Sequence, residues 1–566
     1  MILKHTTLIG QALLERNIIT PEQLKTALIQ QENKGGFLCS ILSKLGFAAE
    51  EKIFGVLSEK LEIPYLKLKN LPINKGGLKK ISAKMASYYK IIPVEYSQNQ
   101  AILAMADPLN IRTLDEIKLV LSVDIKPCLT SQSQIEDAIR KYYGVGAETL
   151  EGMVNNKDIP EFRDKKIEDI ENLNEEASII KFVNQILTEA VNSRATDIHF
   201  EPFHNELRTR FRIDGVLYNI SVPETIKYFH EEIVSRIKIM AHMNIAERRL
   251  PQDGRLKFKL TKQELDMRIS TLPTSFGEGI HLRVLSARSF LELEKLGLRK
   301  EDLEILEKAI KKPHGIIFVT GPTGSGKSTT LYACLAKINT EAVNIITIED
   351  PIEYQLKGIN QIQVMPQIQF NFAAALRYML RHDPDIMMVG EVRDHETAEI
   401  AIRSALTGHL VFSTLHTNDA AGAVTRLLDM GIEPFLVSSS LECLVAQRLI
   451  RIICPDCKKE ILGAEKEKIL KQFRLNKESS DIKLYEGAGC PACRFTGFHG
   501  RTAIYEILTV NEAIRKMILD KASTQEIKRK AISEGMRTLW DDGLSKVLNG
   551  QTTLTEVIRV TQQEGL

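Results

Sequence analysis

The chain has 566 residues, 43% of them hydrophobic and 26% charged, with a formal net charge of +2. That composition builds cores in three or four domains and excludes a wholly disordered chain. The near-neutral balance gives no overall basic bias toward nucleic acid, and no apolar run approaches the ~20 residues of a membrane-spanning helix.

Residues 1–68 are read as an N-terminal helical repeat module. Ile9, Leu13, Leu24 and Leu28 recur 29 positions later as Leu38, Leu42, Ile53 and Leu57, which suits short amphipathic helices in hairpins. "ITPEQL" marks a helix start, with Thr20 as N-cap and Pro21 at the first position. Residues 69–143 follow as a small α/β domain, and the charged stretch 144–176 reads as a linker. Residues 177–288 are expected to be an α+β domain: a helical stripe through Ile179, Ile180, Val183, Ile186, Leu187 and Ala190, then strands.

From about residue 297, strands alternate with helices: "GIIFV", "NIITI", "IMMV", "LVFST". Such a rhythm implies a parallel sheet covered on both faces, placed at 297–446. Residues 447–566 read as a helical region around two Cys-x-x-Cys pairs. With no export signal in "MILKHTTLIGQALLERN", those cysteines point to metal binding in a reducing cytosol.

The chemistry concentrates in four stretches. "GPTGSGKS" at 321–328 follows a strand and opens a helix, the context a phosphate loop requires. The loop Gly321, Pro322, Thr323, Gly324, Ser325 and Gly326 through Thr329 is expected to cradle phosphates with the backbone N–H groups of its residues other than Pro322. Lys327 would reach the β- and γ-phosphates of ATP, and Ser328 would bind Mg²⁺. "TIEDPIEY" ends the next strand and supplies Glu353; "IMMVGEVRD" ends the third, where Gly390 fills the place at which most such ATPases carry Asp and Glu391 comes next. One of these carboxylates helps hold Mg²⁺ through water and the other orients the attacking water; the spacing leaves open which does which. "GHLVFSTLHTNDA" brackets the fourth strand with His409 and His416, and His416 is the candidate sensor of the γ-phosphate. Cys454, Cys457, Cys490 and Cys493 form two tight turns able to complete a tetrahedral Zn²⁺ site.

This ordered set resembles the type II secretion and type IV pilus assembly ATPase family. "RATDIHFEP", "FRIDG", "LPQDGR" and "LRYMLRHDPD" extend the resemblance over nearly the whole chain. It implies a RecA-like ATPase core, four phosphate-directed arginines (Arg268, Arg283, Arg377, Arg381) and a homohexameric ring. Arg377 and Arg381, four apart, are expected on one helix face. The ring would sit on the cytoplasmic side of an inner membrane, held there by a platform protein and cytoplasmic accessory proteins. Pilin polymerisation is the first reading and protein export through a pseudopilus the alternative. Residues 286–296 are the expected hinge between the two ATPase domains. The N-terminal repeats are similar to a cyclic-di-GMP module of relatives. They lack its arginines, giving Leu8-Ile9-Gly10 and Phe37-Leu38-Cys39 in place of Arg-Leu-Gly, so docking rather than dinucleotide binding is expected. A nucleic-acid motor is disfavoured by the charge balance, and a non-catalytic scaffold by the intact Lys327, Ser328, Glu353 and Glu391.

Overall fold

The computed structural model describes residues 2–34, 37–68, 71, 73–108, 110–154, 169–260, 263–285, 292–472 and 482–561. Two compact units divide the chain, Met1–Val284 and Leu285–Leu566.

The first unit opens with helices Ile2–Glu15, Pro21–Lys34, Leu38–Lys44 and Glu50–Leu61. Repeat positions Ile9, Leu13, Leu38, Leu42, Ile53 and Leu57 are buried together in one core, and Leu24 and Leu28 pack on its rim. Thr20 Oγ1 accepts from the Gln23 N–H while Gln23 Oε1 accepts from the Thr20 N–H, a reciprocal cap that starts the second helix. Strands β1 (Ile91–Tyr96) and β2 (Gln100–Met105) pair antiparallel, and β3 (Asp124–Leu129) lies parallel to β2.

The stretch read as a linker carries helix at both ends. Ala147–Val154 is helical, and Leu150 is buried against the same core as Phe182. The Glu151 carboxylate caps the N–H groups of Ala83 and Lys84 at 2.8 and 3.0 Å. A further helix runs Asp169–Asn192, starting eight residues before the expected boundary at 177. Gly144, Gly146 and Gly152 interrupt the sequence around Leu150, so the stretch reads as a linker although one turn of it is buried. Residues 155–168 of that stretch lie outside the described residues.

Six strands complete the first unit: β4 (Ala195–Phe203), β5 (Glu206–Ile213), β6 (Val216–Asn219), β7 (Gln252–Leu260), β8 (Gln263–Thr274) and β9 (Gly277–Leu285). Their order is β6-β5-β4-β9-β8-β7. One face packs Ile198, Phe200, Phe211, Met267 and Leu282 against helices Asp169–Asn192 and His230–Met240. Strict alternation turns the charged residues of β4, β5 and β9 to the other face.

In the second unit, β10 (Gly315–Thr320), β11 (Ile345–Glu349), β12 (Asn360–Gln363), β13 (Ile386–Val389) and β14 (Leu410–Leu415) run parallel. Every residue of β10, β11, β13 and β14 is buried, which is why these strands read as unbroken apolar runs. The sheet does not stop near 446. Strand β15 (Leu441–Ile453) lies parallel to β10 and crosses that boundary, and β18 (Phe498–Thr509) pairs antiparallel to it at the edge. Between them, β16 (Lys458–Glu460) and β17 (Tyr485–Gly487) form a small ladder. The region after 446 is therefore part sheet, with helices Glu512–Leu519, Thr524–Ser533, Leu539–Leu548 and Leu554–Val560 following. Residues 286–291 of the expected hinge are outside the described residues, and Leu293 and Leu296 are already buried in the second unit's core. Among the described residues, no helix is long and apolar enough to cross a membrane.

Candidate nucleotide site and cysteine cluster

The phosphate loop connects β10 to the helix Lys327–Ile338. Gly326 caps that helix at φ 91°, a left-handed conformation that suits glycine. Gly321 must also be glycine, because a Cβ there would lie 2.6 Å from both the Gln447 carbonyl and Ser325 Oγ. Pro322, Thr323 and Gly324 form the exposed crest, Ser325 is buried beneath it, and Ser328 and Thr329 occupy the first helical turn. Lys327 Nζ curls back onto the carbonyls of Gly321 (2.8 Å) and Pro322 (3.1 Å). Burial pulls its ammonium down to about 8, with Glu391 opposing the shift and Arg448 adding to it.

Two residues that the motif reading missed hold this loop from behind. Gln447, 2% exposed, donates from Nε2 to the Ser325 carbonyl at 2.8 Å and accepts from Thr330 Oγ1 at 2.7 Å. Arg448, 8% exposed, reaches from beside Gly321 to the Asn418 carbonyl at 2.7 Å, just beyond His416. Their signal in the sequence was a polar pair inside the otherwise apolar run "LVAQRLI".

The acids at the strand ends part company. Glu349 is buried and engaged by the Tyr332 hydroxyl, by Thr347 Oγ1 at 2.6 Å and by Gln361 Nε2 at 3.0 Å. Glu353 is exposed, and its backbone N–H points to the Tyr332 hydroxyl at 3.4 Å. Glu391 is largely enclosed, with Arg393 at 2.7 Å on one carboxylate oxygen and His416 Nε2 at 3.3 Å on the other. It is the carboxylate that acts on Lys327. His409 sits at the opposite end of β14, where Nδ1 bonds the Ser404 carbonyl at 2.9 Å, so it is structural.

The arginine pair does not share a helix face. The helix Phe372–Met379 ends before Arg381, which folds over the Tyr378 ring at 5.6 Å. Leu380 is the C-cap, and His382, Asp383 and Pro384 follow it; a proline so close downstream stops the helix. Arg377 is paired with Glu396, and both side chains are exposed. Arg268 and Arg283 belong to β8 and β9 of the first unit.

Cys454 directly follows β15, Cys457 closes the next turn, and Cys490 and Cys493 precede β18, so the strand pair brings the four together. All four Sγ atoms lie within 4.8 Å of one another, with 3.7 Å between Cys454 and Cys490 and 3.8 Å between Cys457 and Cys493. These separations are far beyond a disulfide. They equal the ~3.8 Å edge of a tetrahedron with ~2.3 Å Zn–S bonds. The N–H groups of Cys490 (3.1 Å) and Gly497 (3.3 Å) point at Cys493 Sγ, as they would at a thiolate.

A profile described as "Type II/IV secretion system protein" matches residues 172–559. The chain belongs to this family. A second profile, the MshEN domain, matches residues 61–149, downstream of the repeats compared above with the dinucleotide module. The type IV pilus assembly ATPase PilB of Myxococcus xanthus is 41% identical over 558 residues, spanning 97% of this chain and 98% of its own. Type II secretion system protein E of Xanthomonas campestris is 41% identical over 567 residues, spanning 98% of each. Among solved structures, the pilus retraction motor PilT with bound ADP is 28% identical, covers 67% of this chain and 97% of its own, and superposes with a TM-score of 0.44.

Proposed function

We propose that this family member is a Mg²⁺-dependent ATP hydrolase that powers type IV pilus assembly as a homohexameric ring. The observation that carries the reading is the phosphate loop between β10 and the helix Lys327–Ile338, in a chain similar from end to end to a pilus assembly ATPase. In this reading, the loop's N–H groups and Lys327 hold the β- and γ-phosphates, and Ser328 with Glu353 serves the metal ion. Glu391, held between Arg393 and His416, orients the water that attacks the γ-phosphorus. Cleavage of the bond to the β-phosphate oxygen then releases ADP and phosphate. Arg268, Arg283, Arg377 and Arg381 supply cationic stabilisation to the transferring phosphoryl group. When bound, Mg²⁺ would neutralise phosphate charge, and Cys454, Cys457, Cys490 and Cys493 would hold a Zn²⁺ that steadies the turns after β15 and before β18. The chain works on the cytoplasmic face of the inner membrane through a platform protein and accessory proteins. Residues 1–65 dock a partner rather than a dinucleotide.

The equal similarity to a type II secretion protein supports protein export as the second reading. Replacing Lys327 with Ala in the host chromosome separates the two. Loss of surface pili with secretion intact is the expected result. Retained pili with exported enzymes trapped inside would assign the chain to secretion. Mass photometry with ATP should find six-chain particles; monomers alone would rule out the ring.

A further inference from the structure

Arg448 on β15 and Glu506 on β18 share a sheet face with Leu444, Ile450, Ile504 and Leu508, all buried in one apolar core. The two charged residues are 8% and 1% exposed. Both reach the turn after β14, and Lys528 of the helix Thr524–Ser533 joins them there. Three successive residues of that turn are gripped. Arg448 Nη2 donates to the Asn418 carbonyl at 2.7 Å. Lys528 Nζ donates to Asp419 Oδ2 at 3.2 Å, and Glu506 Oε1 accepts from the Ala420 N–H at 2.9 Å. The Lys528 ammonium also stands 3.7 Å from Glu506 Oε2, so it bridges the two carboxylates. Burial pushes the Glu506 carboxyl up, while Lys528 and the Ala420 N–H work against that shift.

His416 lies between this gripped segment and the end of β14. Its Nε2 faces Glu391 Oε2 at 3.3 Å, and its side chain is 46% exposed. An imidazole that exposed gains little orientation from packing, so the backbone on either side must set it. On one side the ladder fixes Leu415 against Thr320 of β10. On the other stand the three bonds above, and Asp419 Oδ1 accepts from the Gly422 N–H at 2.8 Å to start the helix Ala421–Asp429. A buried charge is costly unless it is paired, so the network favours one fully satisfied arrangement and holds the turn in it. A small displacement of a group at a reacting centre is enough to cost rate.

We propose that Glu506 and Lys528 are positioning residues for His416: by fixing Asp419 and Ala420 they set the imidazole against Glu391. This rests on ATP hydrolysis and on the role of Glu391 proposed above. The full chain tests it through phosphate release from ATP in four variants: Glu506→Met, Lys528→Met, His416→Ala, and Glu506→Met combined with His416→Ala. Methionine keeps about the volume of either side chain and removes its charge. Glu506→Met should lower kcat about tenfold and leave KM for ATP within about twofold, the pattern of an interaction made in the transition state. In the His416→Ala background the same change should move kcat by less than about twofold, because the residues act as one unit. Lys528→Met should lower kcat about fivefold, again with KM within about twofold. An equal fall from Glu506→Met in both backgrounds would mean that it acts on the fold, overturning the inference while the ATPase reading stands. Wild-type turnover in Lys528→Met would overturn it even where Glu506→Met fails to fold. Wild-type turnover in His416→Ala would also overturn it and leave the ATPase reading to Lys327. Absence of phosphate release by the unsubstituted chain would remove both.

Discussion

Lys327 Nζ is held by the carbonyls of Gly321 and Pro322. Its ordinary value of 10.5 is brought down to about 8 by burial, so the charge that a phosphate needs is present below that pH and fades above it. Anionic phosphates favour the charged form, so nucleotide binding must take up a proton in this range. Affinity for ATP, read by titration with a fluorescent analogue, should therefore weaken as pH rises through 8, by up to about tenfold per pH unit. A flat profile from pH 7 to 9.5 would contradict this picture of the lysine. Lys327 and Ser328 stand in the loop that phosphate chemistry makes recognisable by residue type and spacing. Gln447 and Arg448 were not legible in that way, since they reach the loop from a strand more than a hundred residues later. The roles of the two histidines became distinct only when β14 separated them, one at each end.

At the scale of elements, the same division recurs. Strands β10, β13 and β14 announced themselves because both their faces are covered. Strand β15 hid because Gln447 and Arg448, spent inside on the loop and the Asn418 turn, broke the apolar run. Residues 147–154 hid because Gly144, Gly146 and Gly152 interrupt that stretch and make it read as a linker. The cysteine pairs were legible in spacing, while the strand pair that closes the 32-residue gap between them was not. Their Sγ geometry leads to a measurement on metal. One zinc per chain is expected by elemental analysis, falling to near zero in Cys457→Ser, with the segment 454–497 becoming open to protease. A structural zinc site contributes on the order of 10 kcal/mol to the segment it closes, so the loss should be plain. Four freely reactive thiols in native, metal-free protein would contradict it.

Taken whole, the molecule keeps its charge near neutral and its chemistry at the carboxyl ends of parallel strands, where such sheets bind ligands. The ordered motifs made the family legible, since four phosphate-handling stretches in one order leave few alternatives. The division into two compact units at residue 284 was less so, because the small N-terminal domains merge with the six-stranded sheet through Val145, Leu150 and Glu151. Everything proposed for the motor depends on ATP being hydrolysed at the loop that Lys327 completes. The most direct measurement is phosphate release from ATP by the purified full chain beside its Lys327→Ala variant, with circular dichroism confirming that both are folded. Turnover that drops at least about a hundredfold in the variant is the expected result, as loss of transition-state charge stabilisation requires. Equal turnover by the two proteins would contradict the assignment.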